Sequence, residues 1–331
     1  MATKVKELVA DAMPNSSHPN PLISHEKLRQ LYSTMLQCRL LEERAQILKK
    51  RARFKGNYYA AAGQEATAVG TGIDLRPEDT VALSHGDFIL NFIKGVPLTA
   101  MFIQLYGRIT SPDRGRSAPA HCGYAPLNII TLSPTIATQL NMSNDIALAN
   151  QRKKNDNVGV AFSGEGSTSL GFWHEALNFA GVRSLPIVFV CENNLLTESA
   201  SAQLEDKLDN ASPKAVGFGF PGITVDGNDA VAVYRVAQEA IERARCGGGP
   251  TLIEAQTSRG YRHAEIDPAN YRAPTEVEER ESTDPIAAME RYLTGKGLFS
   301  EAWKNEITEG FQRELDAAIE VAENHHCGAS V

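Results

Sequence analysis

From Ser24 the chain reads SHEKLRQLYSTMLQCRLLEERAQILKKRARF, in which Leu28, Tyr32, Met35, Leu36, Leu40 and Leu41 recur at roughly helical spacing. That period predicts one long amphipathic helix, with Ser24 as its N-cap and Gly56 as its stop. A second helix is predicted over 64–73, where Ala66, Ala68, Gly70 and Gly72 allow close packing. A third is predicted over 97–106, because Pro97 suits a first helical turn. Over 107–132 no period survives; prolines, glycines and arginines crowd GRITSPDRGRSAPAHCGYAPLN, as they do in a binding loop or a disordered one.

The central third is more regular. Near-continuous apolar runs at 158–162 and 186–190 read as buried strands, with a helix over 170–180 between them. A second unit follows, with a strand at 222–225, a helix over 229–245 closed by Gly247-Gly248-Gly249, and a strand at 251–255. Strand, helix and strand in that order predict an α/β protein built on a parallel sheet flanked by helices. Residues 1–24 read as a flexible N-terminal arm and 25–331 as a single domain, with C-terminal helices over 285–325.

Composition narrows the class. The 331 residues carry 33 Lys+Arg and 40 Asp+Glu, a net charge of −7, with 42% hydrophobic positions, which disfavours disordered and fibrous classes. An acidic balance speaks against a protein held on nucleic acid or on an anionic membrane. No run approaches the roughly 18–20 apolar residues that span a bilayer, and the N-terminal stretch lacks the apolar core of a signal peptide. Five scattered cysteines (Cys38, Cys122, Cys191, Cys246 and Cys327) without a CxxC pair predict reduced thiols in a cytoplasmic protein. His325-His326-Cys327 reads as a frayed tail rather than a metal site.

The chemistry concentrates at Ser163-Gly164-Glu165-Gly166-Ser167, between a predicted strand and a predicted helix. Glycines around a strand end suit close approach to a phosphate. A carboxylate there would repel a bare phosphate, so the arrangement calls for a cation between them. After 26 further residues, Asn193-Asn194 ends the next strand, which puts Glu165 and Asn194 on one edge of the sheet. A carboxylate, an amide oxygen and diphosphate oxygens suit Mg²⁺. A plain glycine turn is the bland alternative. A GxGxxG dinucleotide fingerprint would need glycine where Ser169 stands, which disfavours NAD.

Gly-carboxylate-Gly, 26 residues and Asn-Asn resembles the thiamin diphosphate motif, and WHEALNFAGVRSLPIVFVCENN resembles one family that carries it. That family is the α subunit of the thiamin diphosphate-dependent 2-oxo acid dehydrogenases, the decarboxylating component of the pyruvate, branched-chain and acetoin complexes. Further landmarks are Gly63-Gln64-Glu65-Ala66, the loop 107–121, Val225-Asp226-Gly227, and RHAEIDPANYR followed by Asp284-Pro285.

The resemblance implies the thiamin diphosphate-binding fold, with N- and C-terminal helical extensions. It implies thiamin diphosphate and Mg²⁺ as cofactors, with Glu165, Asn194 and the Leu196 carbonyl on the metal. Gly164, Gly166, Ser167 and Arg259 would serve the diphosphate, Ile136 the aminopyrimidine, and His85 the diphosphate side. His263 would be the catalytic histidine beside the thiazolium, assisting transfer to the lipoyl group. Partners implied are a β subunit, in an assembly of two α and two β chains, a lipoyl-bearing acyltransferase and a small 2-oxo acid substrate. A diverged non-catalytic assembly or regulatory subunit, and an acetoin-cleaving relative, are the alternatives.

Departures from the family pattern are specific. Glu165 stands where Asp is usual, Gly86 where Arg commonly follows the His85 position, and Leu196 where Tyr follows Asn-Asn. Asn141-Met142-Ser143-Asn144-Asp145 replaces a glycine-rich helix start, and Ala264 stands where some members carry a regulatory serine. Arg114 or Arg116 is expected to replace the missing arginine. His174 reads as a packing residue, whereas His121 is read equally as a substrate-facing or a surface histidine.

Overall fold

The Ser24 hydroxyl accepts a hydrogen bond from the Lys27 amide at 3.1 Å and so caps the first helix, α1 (His25–Lys50). The structure is a computed structural model and describes residues 23–133, 135–194, 210–257 and 283–325. Most of the expected N-terminal arm, residues 1–22, therefore lies outside the described residues, as do His326 and Cys327. Helix α1 ends before Gly56 because the chain turns left-handed at Ala52, with φ of 54°. The amides of Ala52 and Arg53 there close onto the carbonyls of Lys49 and Leu48 at 2.8 and 3.0 Å.

Helix α2 (Glu65–Gly72) is buried throughout. The chain then runs through β1 (Thr80–Ala82), α3 (Ile89–Ile93), α4 (Leu98–Leu105), β2 (Ile129–Ile130) and α5 (Thr138–Lys153). Next come β3 (Gly159–Gly164), α6 (Gly171–Arg183), β4 (Ile187–Asn193), α7 (Lys214–Gly217), β5 (Gly222–Asp226), α8 (Ala230–Arg245) and β6 (Thr251–Gln256). Helices α9 (Pro285–Gly295) and α10 (Glu301–Asn324) complete the described chain.

The hydrophobic pattern does not announce β1, β2, α3 or α5. Strands of three and two residues are too short for a period to show. Helix α5 fails the test for another reason: its inward positions include Gln139, Ser143, Asn144 and Asn150. Their burial is offset in part by amide hydrogen bonds, Gln139 Nε2 to the Phe162 carbonyl at 3.1 Å and Asn144 Nδ2 to the Ala176 carbonyl at 2.8 Å.

All six strands are parallel, in the order β2-β1-β3-β4-β6-β5. Alternate residues feed two apolar clusters, one on each face. Val160, Phe162, Val188 and Val190 join residues of α1, α2 and α8. Ala161, Ile187, Phe189 and Cys191 join residues of α5 and α6. Burial on both faces is why these strands read as unbroken apolar runs. Cys38, Cys122 and Cys191 are buried free thiols and Cys246 is an exposed one. No helix among the described residues is long and apolar enough to cross a membrane.

Arg39 joins the N- and C-terminal helices to the rest of the fold. Its guanidinium spans both oxygens of the buried Glu65 at 2.5 and 3.0 Å and reaches Asp284 at 2.9 Å. Asp284 in turn caps α9 by accepting from the amides of Ile286 and Ala287.

Candidate active site

A doubly wound parallel sheet opens a crevice at the carboxyl ends of its strands where the winding direction reverses. Here β1 is followed by β2 on one side, whereas β3 is followed by β4 on the other, so the crevice lies between the ends of β1 and β3. His85 comes three residues after β1 and Glu165 immediately after β3. The β3–β4 register pairs Gly164 with Glu192, which brings Glu165 level with Asn193 and next to Asn194. The fold therefore gathers His85, Gly164, Glu165, Gly166, Ser167 and Asn194 on one edge. Ile136 lies beyond β2, on the same edge, and is 51% exposed.

The strand end at Gly164 is built for close approach. A Cβ placed there would meet no atom within 4 Å, so open space faces the backbone. The chain then enters a 3-10 turn over Glu165–Ser169. The Ser167 hydroxyl donates to the Gly164 carbonyl at 2.5 Å, so it braces the turn while the backbone faces outward. Lys214 Nζ lies 3.1 Å from Thr168 Oγ1 and 5.5 Å from the Trp173 ring centre, and holds the far side of the turn.

The two adjacent asparagines part company. Asn193 Nδ2 donates to Glu254 Oε1 at 2.7 Å, and the Ser212 amide donates to the other Glu254 oxygen at 2.8 Å. Asn193 thus satisfies a fully buried carboxylate inside the sheet, and Asn194 is the one at the edge. Burial pushes the Cys191 thiol well up, and the carboxylates of Glu165, Glu254 and Glu192 push it further. Lys214 opposes that shift. A carboxylate and an amide oxygen at neighbouring strand ends fit a hard divalent cation, and the open backbone at Gly164 fits the diphosphate it would carry. Among the described residues no three acidic, histidine or cysteine side chains group as metal ligands, so the fit rests on one carboxylate, one amide and oxygens from elsewhere.

Three expected site residues, Leu196, Arg259 and His263, lie outside the described residues. The described part of β6 ends at Gln256 and heads for the same edge. Arg114 and Arg116 are exposed on the loop after α4. Gly86 has φ of 102°, in a turn where the Ser84 amide donates to Asp87 Oδ2 at 2.7 Å. That left-handed backbone favours glycine at this position. His174 is exposed, although its ring touches those of Trp173 and Phe218.

Two rings that the sequence did not assign adjoin His85. Tyr59 meets it edge to face at 5.0 Å, and His121 does so from the other segment at 5.7 Å. Burial lowers the His121 pKa, and the nearby Asp113 charge opposes that shift only in part. No local pattern marks Tyr59, because its neighbour is distant in sequence. For His121 the only signal was its place at the end of an irregular loop.

Comparison with known proteins agrees with this geometry. Residues 32–328 match the family described as dehydrogenase E1 component. The α subunit of 2-oxoisovalerate dehydrogenase from Bacillus subtilis (strain 168) is 33% identical over 315 residues, 94% of this chain and 95% of that one. The α subunit of acetoin:2,6-dichlorophenolindophenol oxidoreductase from the same organism is 35% identical over 272 residues, 82% of each chain. The α subunit of the pyruvate dehydrogenase E1 component from Staphylococcus aureus (strain Mu50 / ATCC 700699) is 33% identical over 306 residues, 92% of this chain and 80% of that one. A family match over residues 32–328, with relatives at 33–35% identity over 82–94% of this chain, shows that the chain belongs to the thiamin diphosphate-dependent dehydrogenase E1 component family, as an α subunit of the 2-oxo acid dehydrogenase type.

Proposed function

We propose that this chain anchors thiamin diphosphate through Mg²⁺ in an enzyme that oxidatively decarboxylates a small 2-oxo acid and passes the acyl group to a lipoyl acceptor. The observation that carries the reading is the meeting of Gly164-Glu165 and Asn194 on neighbouring strands at the reversal of the sheet. Glu165, Asn194 and the Leu196 carbonyl would hold the metal. Gly164, Gly166 and Ser167 would face the diphosphate with Arg259 as its cation, and His85 would stand at its side. Ile136 would meet the aminopyrimidine through its main chain, and His263 would serve acyl transfer. When bound, the cofactor supplies the carbanion-stabilising chemistry; the protein supplies anchoring, orientation and exclusion of water.

A β-type partner completes the site in this reading, in an assembly of two α and two β chains. Exposed apolar side chains support it: Met142 and Ile146 on α5, Phe172 and Val182 on α6, and Ile136 and Leu170 just before those helices. Exposed apolar side chains on two neighbouring helices suit a protein partner. The acyl product would pass to a lipoyl-bearing acyltransferase, in the cytoplasm. Acetoin cleavage is the second reading, favoured by the 35% identity to an acetoin oxidoreductase α subunit.

The test is donor-dependent dye reduction by the complex captured through this chain from its own cells, with thiamin diphosphate and Mg²⁺ added. Pyruvate, branched-chain 2-oxo acids, 2-oxoglutarate and acetoin form the panel. Turnover of a 2-oxo acid supports the first reading and turnover of acetoin alone the second. A clean complex inert with every donor identifies a non-catalytic assembly subunit.

A further inference from the structure

The loop between α4 and β2 is irregular in outline yet closely held. Gln104, fully buried on α4, places Nε2 3.3 Å from Asp113 Oδ2 and 3.2 Å from Ser117 Oγ, while its Oε1 accepts from the Asp113 amide at 3.3 Å. Ser117 Oγ also lies against Asp113 Oδ2. The network ends at one residue. The hydroxyls of Ser117 and Thr131 stand 3.1 and 3.3 Å from the His121 carbonyl, and the His121 amide donates to the Ala118 carbonyl at 2.9 Å. Cys122, fully buried, fixes the chain on the next position.

Among the described residues, this scaffold presents an imidazole without a hydrogen-bond partner of its own. The His121 ring stands edge to face on His85, which stands edge to face on Tyr59, so three segments bring three rings to the β1 end of the crevice. Among the described residues neither ring nitrogen of His121 makes a hydrogen bond. A ring needed only to fill space would be served by leucine or phenylalanine. A half-buried imidazole whose backbone is fixed by so many polar contacts, and whose own donor and acceptor stay unused, is set up to receive a polar ligand.

We propose that His121 is a substrate-binding residue whose ring N–H receives the carboxylate of the 2-oxo acid, and that Gln104, Asp113 and Ser117 are its positioning residues. The inference rests on the functional reading above and deepens it by assigning the carboxylate a partner in this chain. The charge state suits the task. Burial holds the imidazole pKa below its usual value against the opposing Asp113 charge, which favours the uncharged ring. A carboxylate about to leave as CO₂ loses its charge in the transition state. A full positive charge beside it would stabilise the ground state more than the transition state, whereas a neutral donor orients it without that cost.

The test uses the complex captured with its partner, assayed by dye reduction with pyruvate and with 3-methyl-2-oxobutanoate, alongside thiamin diphosphate affinity in the presence of Mg²⁺. With whichever acid the wild type uses, His121→Leu is expected to lower kcat/KM by about 10- to 100-fold, mainly through KM, as loss of a hydrogen bond to a charged group does. Cofactor affinity should stay within about twofold. His121→Gln, which keeps a neutral donor, should recover most of the loss. Ser117→Ala should move KM in the same direction by a smaller factor and Ser117→Thr should restore it, a split that general loosening of the fold would not give. The proposal is overturned if His121→Leu leaves kcat/KM unchanged, if the loss follows cofactor affinity, or if His121→Gln is no better than His121→Leu. A wild-type complex that binds cofactor but turns over neither these acids nor 2-oxoglutarate overturns the functional reading itself, and this inference with it.

Discussion

Gly164 and Glu192 are register partners on adjacent parallel strands, and the residues that follow each are the ones that matter. The pairing puts Glu165 at the level of Asn193 and sends Asn194 one step past the sheet. Two neighbouring asparagines thereby acquire different work. Asn193 completes the shell of the buried Glu254, and Asn194 stands with Glu165 at the crevice.

Substitution separates those roles. Asn193→Ala should destabilise the protein by about 1–3 kcal/mol, because it withdraws one donor from a buried carboxylate. Asn194→Ala should weaken Mg²⁺-dependent thiamin diphosphate binding, because it removes the amide oxygen proposed for the metal. Thermal melts and cofactor titration of the two variants check both statements.

The Arg39 junction is a buried ionic element that ties three segments together. Glu65 is fully buried against it, so Arg39→Met should cost about 3–5 kcal/mol by stranding that charge. Chemical denaturation of the purified complex measures it.

Asp284 gives the same junction an acid limit. Burial pushes its carboxyl pKa up, but the Arg39 guanidinium and the amides of Ala287 and Ile286 outweigh burial and hold it below the ordinary value. A carboxylate with a depressed folded pKa contributes fully above its unfolded pKa, and that contribution is lost as pH falls through the folded one. Asp284→Ala should therefore lower stability by about 1–2 kcal/mol near neutrality. The difference from wild type should shrink as the pH is taken below about 4. Melting curves at stepped pH show whether the two converge.

Gly86 and Gly70 mark places where a side chain is excluded for different reasons. At Gly86 the backbone φ of 102° strains any L-residue, so Gly86→Arg should cost about 1–2 kcal/mol. At Gly70 a Cβ would stand 2.8 Å from Val233 Cγ1 and 3.0 Å from the Tyr234 amide, where α2 meets α8. Gly70→Ala should cost about 1–3 kcal/mol through overpacking. Both are read by denaturant midpoint.

The legible parts of this protein are those where one local rule governs. The buried strands at 159–164 and 187–193 and the long α1 carry unbroken apolar patterns, and Gly164-Glu165 and Asn194 fall at strand ends that those patterns already place. Helix α5 was hidden because its buried face is built from amides satisfied by the carbonyls of β3 and α6, an arrangement no hydropathy pattern records. Strands β1 and β2 were hidden because pairing with β3 and with each other, rather than composition, makes them strands. Tyr59 and His121 were hidden because their meeting with His85 depends on where the irregular loop is pinned, and Gln104 does that from a helix.

The central claim is that Glu165 holds a divalent cation on which 2-oxo acid turnover depends. Its most direct measurement is 2-oxo-acid-dependent dye reduction by the captured complex, compared with complexes carrying Glu165→Ala and Glu165→Asp, each across a Mg²⁺ titration. The account predicts turnover of a 2-oxo acid by the wild type, its loss in Glu165→Ala, and retained or improved Mg²⁺ dependence in Glu165→Asp. Turnover that survives Glu165→Ala with an unchanged Mg²⁺ requirement would contradict it.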